Sequence, residues 1–222
     1  LDYKFTTIDY ITGEEFKIFE CKTCNLLFPE VYPKNLDNYY PKQYRSYSKI
    51  VSKILSIKSY LFVRKIDYFF KKNITNKKIL EIGCGKGIML NIFKKKGWEV
   101  YGKEREEYIE KNDQNITNKP IEMYKNEAFE CILLYNSLEH LKYPHRILNN
   151  LTTKLKKGGL IIITVPSYKS WQFQLGKQDW LHLDTYDGFP ALSSVHLGGC
   201  CRRGSNMERR SRDRLVSQCR YR

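Results

Sequence analysis

Between residues 78 and 165, short apolar runs alternate with segments of helical period, the pattern of parallel strands joined by helices. Ile79, Leu80 and Ile82 mark a first strand over Lys78–Ile82. Glu99–Lys103 reads as a second, residues 120–123 as a short third, Phe129–Tyr135 as a fourth and residues 160–165 as a fifth. After the first strand, Ile88, Leu90, Ile92 and Phe93 set a helical rhythm that ends near Gly97. Leu151 to Leu155 closes a further helix, which Lys156-Lys157-Gly158-Gly159 terminates and turns into the fifth strand. Ahead of the sheet, one long helix is expected over residues 48–72. Ile50, Ile54, Ile57 and Leu61, with Val51, Leu55, Phe62 and Ile66, give it a broad apolar face. Lys49, Lys53, Lys58, Arg64, Lys65, Lys71 and Lys72 take much of the rest. The expected fold class is α/β, a doubly wound and mostly parallel sheet.

Two flanking segments break this rhythm. Residues 1–47 are rich in tyrosine and surround Cys21-Lys-Thr-Cys24, with Phe16, Ile18 and Phe19 before the pair and Leu26, Leu27 and Phe28 after it. A C-x-x-C pair of this kind forms one arm of a zinc ribbon. A tetrahedral site needs four ligands, however, and the sequence holds no second such pair. Zinc at Cys21 and Cys24 therefore requires ligands from outside these residues, and a pair of free buried cysteines is the alternative. Because the first residue is Leu1 rather than methionine, the missing ligands are expected upstream. At the other end the composition changes abruptly. All 27 lysines occur by Lys177 and isoleucine disappears after Ile163, whereas eight arginines fall from Arg202 onward. Residues 185–222 therefore read as a disordered basic tail that is not a native continuation, with a nucleic-acid-binding tail as the alternative. Three segments follow: 1–47, a domain over 48–184, and the tail.

Composition narrows the partners. The 222 residues suit one α/β domain plus a small element. A net charge of +15 suits an anionic partner, such as nucleic acid, a phosphorylated substrate or an acidic membrane surface. The lysines are scattered rather than clustered, as codon usage in an AT-rich genome would also leave them. The basic amphipathic helix over 48–72 either lies on an anionic membrane or packs over the sheet. No apolar run approaches the roughly 18 residues of a membrane span. Seven cysteines without a regular framework fit a reducing cytosol, so a cytoplasmic location is expected.

The chemistry concentrates in Lys-Ile-Leu-Glu-Ile-Gly-Cys-Gly-Lys-Gly, residues 78–87. A strand breaks into Gly83, Gly85 and Gly87 and then a helix, the front half of a nucleotide-binding βαβ unit. Glycines let the backbone turn sharply and let a ligand lie against it. Glu104 follows the second strand, 21 residues after Gly83, where a carboxylate would grip a ribose hydroxyl pair. A dinucleotide fingerprint would need glycine at Ile88, and a P-loop would need a four-residue cradle before Lys86. What stands is E-x-G-x-G-x-G beginning at Glu81.

This stretch resembles motif I of the class I S-adenosylmethionine-dependent methyltransferases. Phe129-Glu-Cys-Ile-Leu-Leu-Tyr-Asn-Ser-Leu-Glu-His-Leu141 and Leu155-x-x-Gly158-Gly159 with its strand and Pro166 resemble later family elements. So does the C-x-x-C-x-L-x-F stretch with Tyr39, Tyr40, Tyr44 and Tyr47, similar to bacterial relatives and ubiquinone-pathway O-methyltransferases. The resemblance spans roughly residues 16 to 184. It implies a Rossmann-like sheet and S-adenosylmethionine held by Glu81, Gly83, Cys84, Gly85, Gly87, Glu104, Asn136 and Ser137. The acceptor would lie near His140, Pro166 to Tyr168 and residues 171–184. The family would close the sheet with an antiparallel strand pair, which residues 185–222 are not expected to supply.

His140, with Glu139, is the candidate acceptor-side base, since an oxygen acceptor of high pKa must lose its proton. The alternative is that both residues cap the helix after strand four. Some relatives end this strand E-x-x-E-H and use a divalent ion. Here the first carboxylate is Asn136, so no metal is assigned. Asn126 and Glu127 are the residues available where relatives approach the adenine amine. The resemblance implies methyl transfer to a small-molecule acceptor, at oxygen, of the quinone-precursor or cell-envelope-sugar class. An RNA-modifying enzyme and a non-catalytic cofactor-binding domain are the rivals.

Overall fold

The computed structural model describes residues 2–9, 12–20, 27–30, 49–70, 77–109, 115–141, 144–166, 174–175, 207–209 and 215–220. They fall into two compact units. One draws on Leu1–Tyr44, Asn136–Asn149 and Ile163–Arg220, and the other on Arg45–Tyr135 and Asn150–Ile162.

The first unit begins with a three-stranded antiparallel sheet of β1 (Asp2–Ile8), β2 (Glu15–Glu20) and β3 (Leu27–Pro29), in that order. Phe16, Ile18 and Leu27 are buried in it. Asp9 organises the β1–β2 turn, accepting hydrogen bonds from the Thr12 amide (2.7 Å) and hydroxyl (2.9 Å). Gly13, at φ +75°, supplies the left-handed residue of that turn. Cys21 and Cys24 lie outside the described residues, and among those residues no group of three His, Cys, Asp or Glu could hold a metal.

The second unit carries the parallel sheet. Helix α1 (Lys49–Phe70) leads to β4 (Lys78–Ile82), α2 (Ile88–Lys95), β5 (Glu99–Lys103), β6 (Ile116–Thr117) and β7 (Phe129–Tyr135). After α3 (Pro144–Lys154), β8 (Leu155–Val165) follows, running through both units. β4 pairs in parallel with β5 and β7, and β5 with β6. Ile79, Leu80, Cys131, Ile132, Leu133 and Leu134 are almost wholly buried, as central strands covered on both faces require. Two strand expectations shift. The third strand is Ile116–Thr117 rather than residues 120–123, since Pro120 cannot donate to a ladder and Ile121–Met123 forms a 3-10 turn instead. β8 starts at Leu155, five residues early, directly after α3, with Gly158 at φ +80° inside it.

The sheet's strand order is β6-β5-β4-β7-β8-β10-β9, where β9 is Met207–Arg209 and β10 is Leu215–Arg220. The two last strands pair antiparallel, Ser217 opposite Arg209 and Cys219 opposite Met207. The expectation that the sheet lacks an antiparallel closing pair is therefore corrected. Sheet-edge addition is driven by backbone N–H and C=O groups, which apolar alternation and composition do not report.

Beneath α1, Asp67 fastens three elements of the second unit. It accepts hydrogen bonds from Trp98 Nε1 (2.8 Å) and Lys77 Nζ (2.9 Å), and Lys96 Nζ lies 4.0 Å away. Trp98 stacks edge-on against Phe70 and Phe93, with centroids 5.3 and 5.2 Å away. At the amino end of the sheet, buried Glu130 accepts from the Lys78 amide (2.7 Å) and from Lys156 Nζ.

Candidate active site

The carboxyl end of β4 runs into the glycine turn, and all three glycines adopt left-handed backbone: Gly83 at φ +71°, Gly85 at +56° and Gly87 at +66°. No other residue adopts that conformation without steric cost, which is why this turn spends three glycines. The Gly83 amide donates to the Lys103 carbonyl (2.8 Å), tying the turn to the carboxyl end of β5. Gly87 caps α2, whose first ladder bond runs from the Asn91 amide to its carbonyl (2.9 Å).

Glu104 follows β5 and is buried. Its Oε2 accepts from the Gly85 amide (2.5 Å) and its Oε1 from the Arg105 amide (3.0 Å). Sequence spacing predicted that Glu104 stands near the turn. The structure adds that the carboxylate is fastened to the middle glycine, so turn and acid form one rigid group. Glu81 and Cys84 are also buried in this unit, Glu81 within β4 and Cys84 in the turn. Cys84 Sγ faces Gly102, where an added Cβ would come within 2.7 Å of it.

The carboxyl end of β6 presents Asn118, which the sequence reading passed over. Its Nδ2 donates to Glu106 (3.0 Å), and Lys103 Nζ donates to the carbonyls of Asn118 (3.0 Å) and Lys119 (2.7 Å). Burial holds the Lys103 ammonium below the usual lysine range, while Glu122 and Glu104 pull it back up. By contrast, Asn126 and Glu127 precede β7 and so lie at the amino end of the sheet, away from the glycine turn. Asn126 is committed there to Lys154 Nζ (2.7 Å). Asn126 and Glu127 therefore both sit at the edge of the sheet opposite the glycine turn, because a parallel strand puts its two ends on opposite edges. Among buried thiols, Cys131 is pushed far up by burial, so no thiolate nucleophile arises at that strand.

The first unit holds the second group. Asn136 follows β7 in the left-handed region at φ +48°, a position few residues other than glycine accept and asparagine tolerates best. Its amide donates to Thr164 Oγ1 (3.0 Å), and that hydroxyl donates back to Asn136 Oδ1 (3.1 Å). Thr164 thus fixes Asn136, and no motif in the sequence marked it. Ser137 and Glu139 are buried, and His140 is partly exposed. Leu138–His140 forms a 3-10 turn closed by the His140 amide on the Ser137 carbonyl (3.2 Å). His140 Nε2 lies 3.9 Å from Glu139 Oε1, an ion pair whenever the imidazole is protonated. Ser167, Tyr168 and 176–184 lie outside the described residues.

A family model described as a methyltransferase domain matches residues 54–203. Comparison with curated proteins found no match. Among solved structures, the chain is similar to a SAM-dependent methyltransferase from Archaeoglobus fulgidus, with 18% identity and a TM-score of 0.53, covering 69% of this chain and 73% of that one. It is similar to the plantazolicin methyltransferase BpumL, solved with a monoazolic desmethylPZN analog and SAH. There the identity is 22% and the TM-score 0.53, over 69% of this chain and 67% of that one. A protein from Pyrococcus horikoshii gives a TM-score of 0.62 at 13% identity, over 82% of this chain and 99% of that one.

Proposed function

The chain belongs to the methyltransferase-domain family and is a SAM-dependent methyltransferase, and from that premise we propose that it methylates an oxygen of a small-molecule acceptor. The observation that carries the cofactor half is the bond from the Gly85 amide to the buried Glu104 carboxylate. Gly83, Gly85 and Gly87 bring no Cβ to the turn, and a carboxylate is acceptor-only, so it takes hydroxyl donors from a ligand. Turn and carboxylate together fit a ribose diol. Bound S-adenosylmethionine supplies an electrophilic methyl group on a sulfonium with an excellent leaving group. What the protein must add is chiefly position.

In this reading Gly83, Cys84, Gly85 and Gly87 line the cofactor with backbone, Glu104 orients the ribose, and Glu81 supports the turn from β4. Asn118, at the carboxyl end of β6, stands on the adenine side in place of Asn126 or Glu127. Asn136 and Ser137 are the further cofactor-binding candidates. His140 takes the acceptor proton, and the Glu139 carboxylate 3.9 Å away stabilises the imidazolium formed. The proposed acceptor is a hydroxyl of the quinone-precursor or cell-envelope-sugar class. The test is transfer of labelled methyl from S-adenosylmethionine into a metabolite extract, purified RNA and a peptide pool. Label in a metabolite hydroxyl supports the reading, and label in RNA or peptide alone would overturn it.

A further inference from the structure

Helix α1 presents a second surface on its side away from the packed face. Val63, Ile66 and Phe70 are buried against the rest of the unit, as an amphipathic helix should be. Yet Ile54, Ile57, Leu61 and Tyr68 are 49%, 60%, 48% and 71% exposed. Spaced three, four and seven apart, they form one continuous stripe on the opposite side of the helix. It runs about 21 Å at 1.5 Å per residue.

Cations border this stripe on both sides. Lys53 and Arg64 fall along one flank, Lys58 and Lys65 along the other, and all four are exposed. No acid occurs in the helix before Asp67, and that carboxylate is turned to Trp98 and Lys77. A strip of aliphatic side chains between two rows of long cationic ones has a definite physical complement. It fits a surface that is anionic at headgroup depth and apolar just beneath, where lysine and arginine reach outward as their stems lie along the hydrocarbon. Nucleic acid would satisfy the cations but leave Ile54, Ile57 and Leu61 in water. A second copy of the helix would set like charges against each other. Among the described residues no helix is long and apolar enough to cross a membrane, so contact would be along the surface.

We propose that α1 docks the protein on an anionic lipid bilayer, with Ile54, Ile57, Leu61 and Tyr68 in the interface and the four cations on the headgroups. The test is sedimentation of the full chain with vesicles of phosphatidylcholine alone and of phosphatidylcholine mixed with phosphatidylglycerol. Binding is expected only to the mixed vesicles and should weaken as salt rises. Each cation near such a surface is worth about fivefold in partitioning, so Lys58→Glu with Lys65→Glu should lower it more than tenfold. Ile57→Gln with Leu61→Gln should also lower it at unchanged charge. Circular dichroism confirms that these surface variants keep their helices. Failure to bind mixed vesicles, equal binding to neutral ones, or unaltered binding by either pair would overturn the proposal. So would an RNA complex lost only in the lysine pair, or a dimer in sedimentation equilibrium lost in the Ile57/Leu61 pair.

Discussion

At the residue scale, Glu104 and His140 are expected to act on different steps, and Gly102 packs directly against Cys84 of the glycine turn. Glu104 is expected to act on cofactor affinity alone. Its loss removes a charged hydrogen bond worth about 1.5–3 kcal/mol and also the tie to Gly85. Glu104→Ala should therefore weaken S-adenosylmethionine binding at least tenfold in calorimetry, and an unchanged affinity would refute the role. His140 should behave in the opposite way. His140→Ala should lower turnover while leaving cofactor affinity within a few-fold, whereas equal loss of both would make it a structural residue. Gly102 is constrained from three sides, since a Cβ there would meet Cys84 Sγ at 2.7 Å, Leu90 Cδ1 at 2.8 Å and Ile116 Cγ1 at 3.0 Å. Overpacking of this kind costs about 1–3 kcal/mol, so Gly102→Ala should shift the denaturation midpoint downward. Because Cys84 belongs to the glycine turn, the same variant should also weaken cofactor binding.

At the element scale, α1 is joined to the sheet through Asp67. Burial alone would raise that carboxyl, but hydrogen bonds from Trp98 and Lys77 and the charges of Lys77 and Lys96 outweigh it and hold it below its ordinary 3.8. A carboxyl depressed in the folded state stabilises the protein fully above the unfolded value. That stability is lost as pH falls through the folded value. Asp67→Asn should cost about 1–3 kcal/mol near neutrality and flatten the acid limb of a stability–pH curve. An acid limb that is unchanged in the variant would place the acid sensitivity in other carboxylates.

Across the whole molecule, protection should follow sheet position rather than sequence position. β4 and β7 sit side by side in the interior of the strand order, whereas β6 and β9 are its edges. Hydrogen exchange should therefore be slowest at Ile79 to Ile82 and Cys131 to Leu134. Exchange at Ile116 and in Met207–Arg209 should be faster by orders of magnitude. Uniform protection across all seven strands would contradict this ordering.

The sequence by itself determined the strand–turn–helix around 78–95, the second strand, the fourth strand and the position of Glu104. All of these are local. Glycine at alternate positions and unbroken apolar runs leave the backbone few alternatives. It also placed α1 to within two residues at either end, because helical period is read from neighbours alone. The tertiary structure decided what depends on distant partners. It moved the third strand to Ile116–Thr117, tied Thr164 to Asn136, and turned Asn126 to the amino end of β7 where Lys154 holds it. It also placed β9 and β10 at the edge of a sheet in which their composition predicted no strands. Pairing of backbone to backbone across a sheet leaves almost no mark on side-chain pattern, so residue order marked the glycine turn and Glu104 but not every strand of the sheet that carries them.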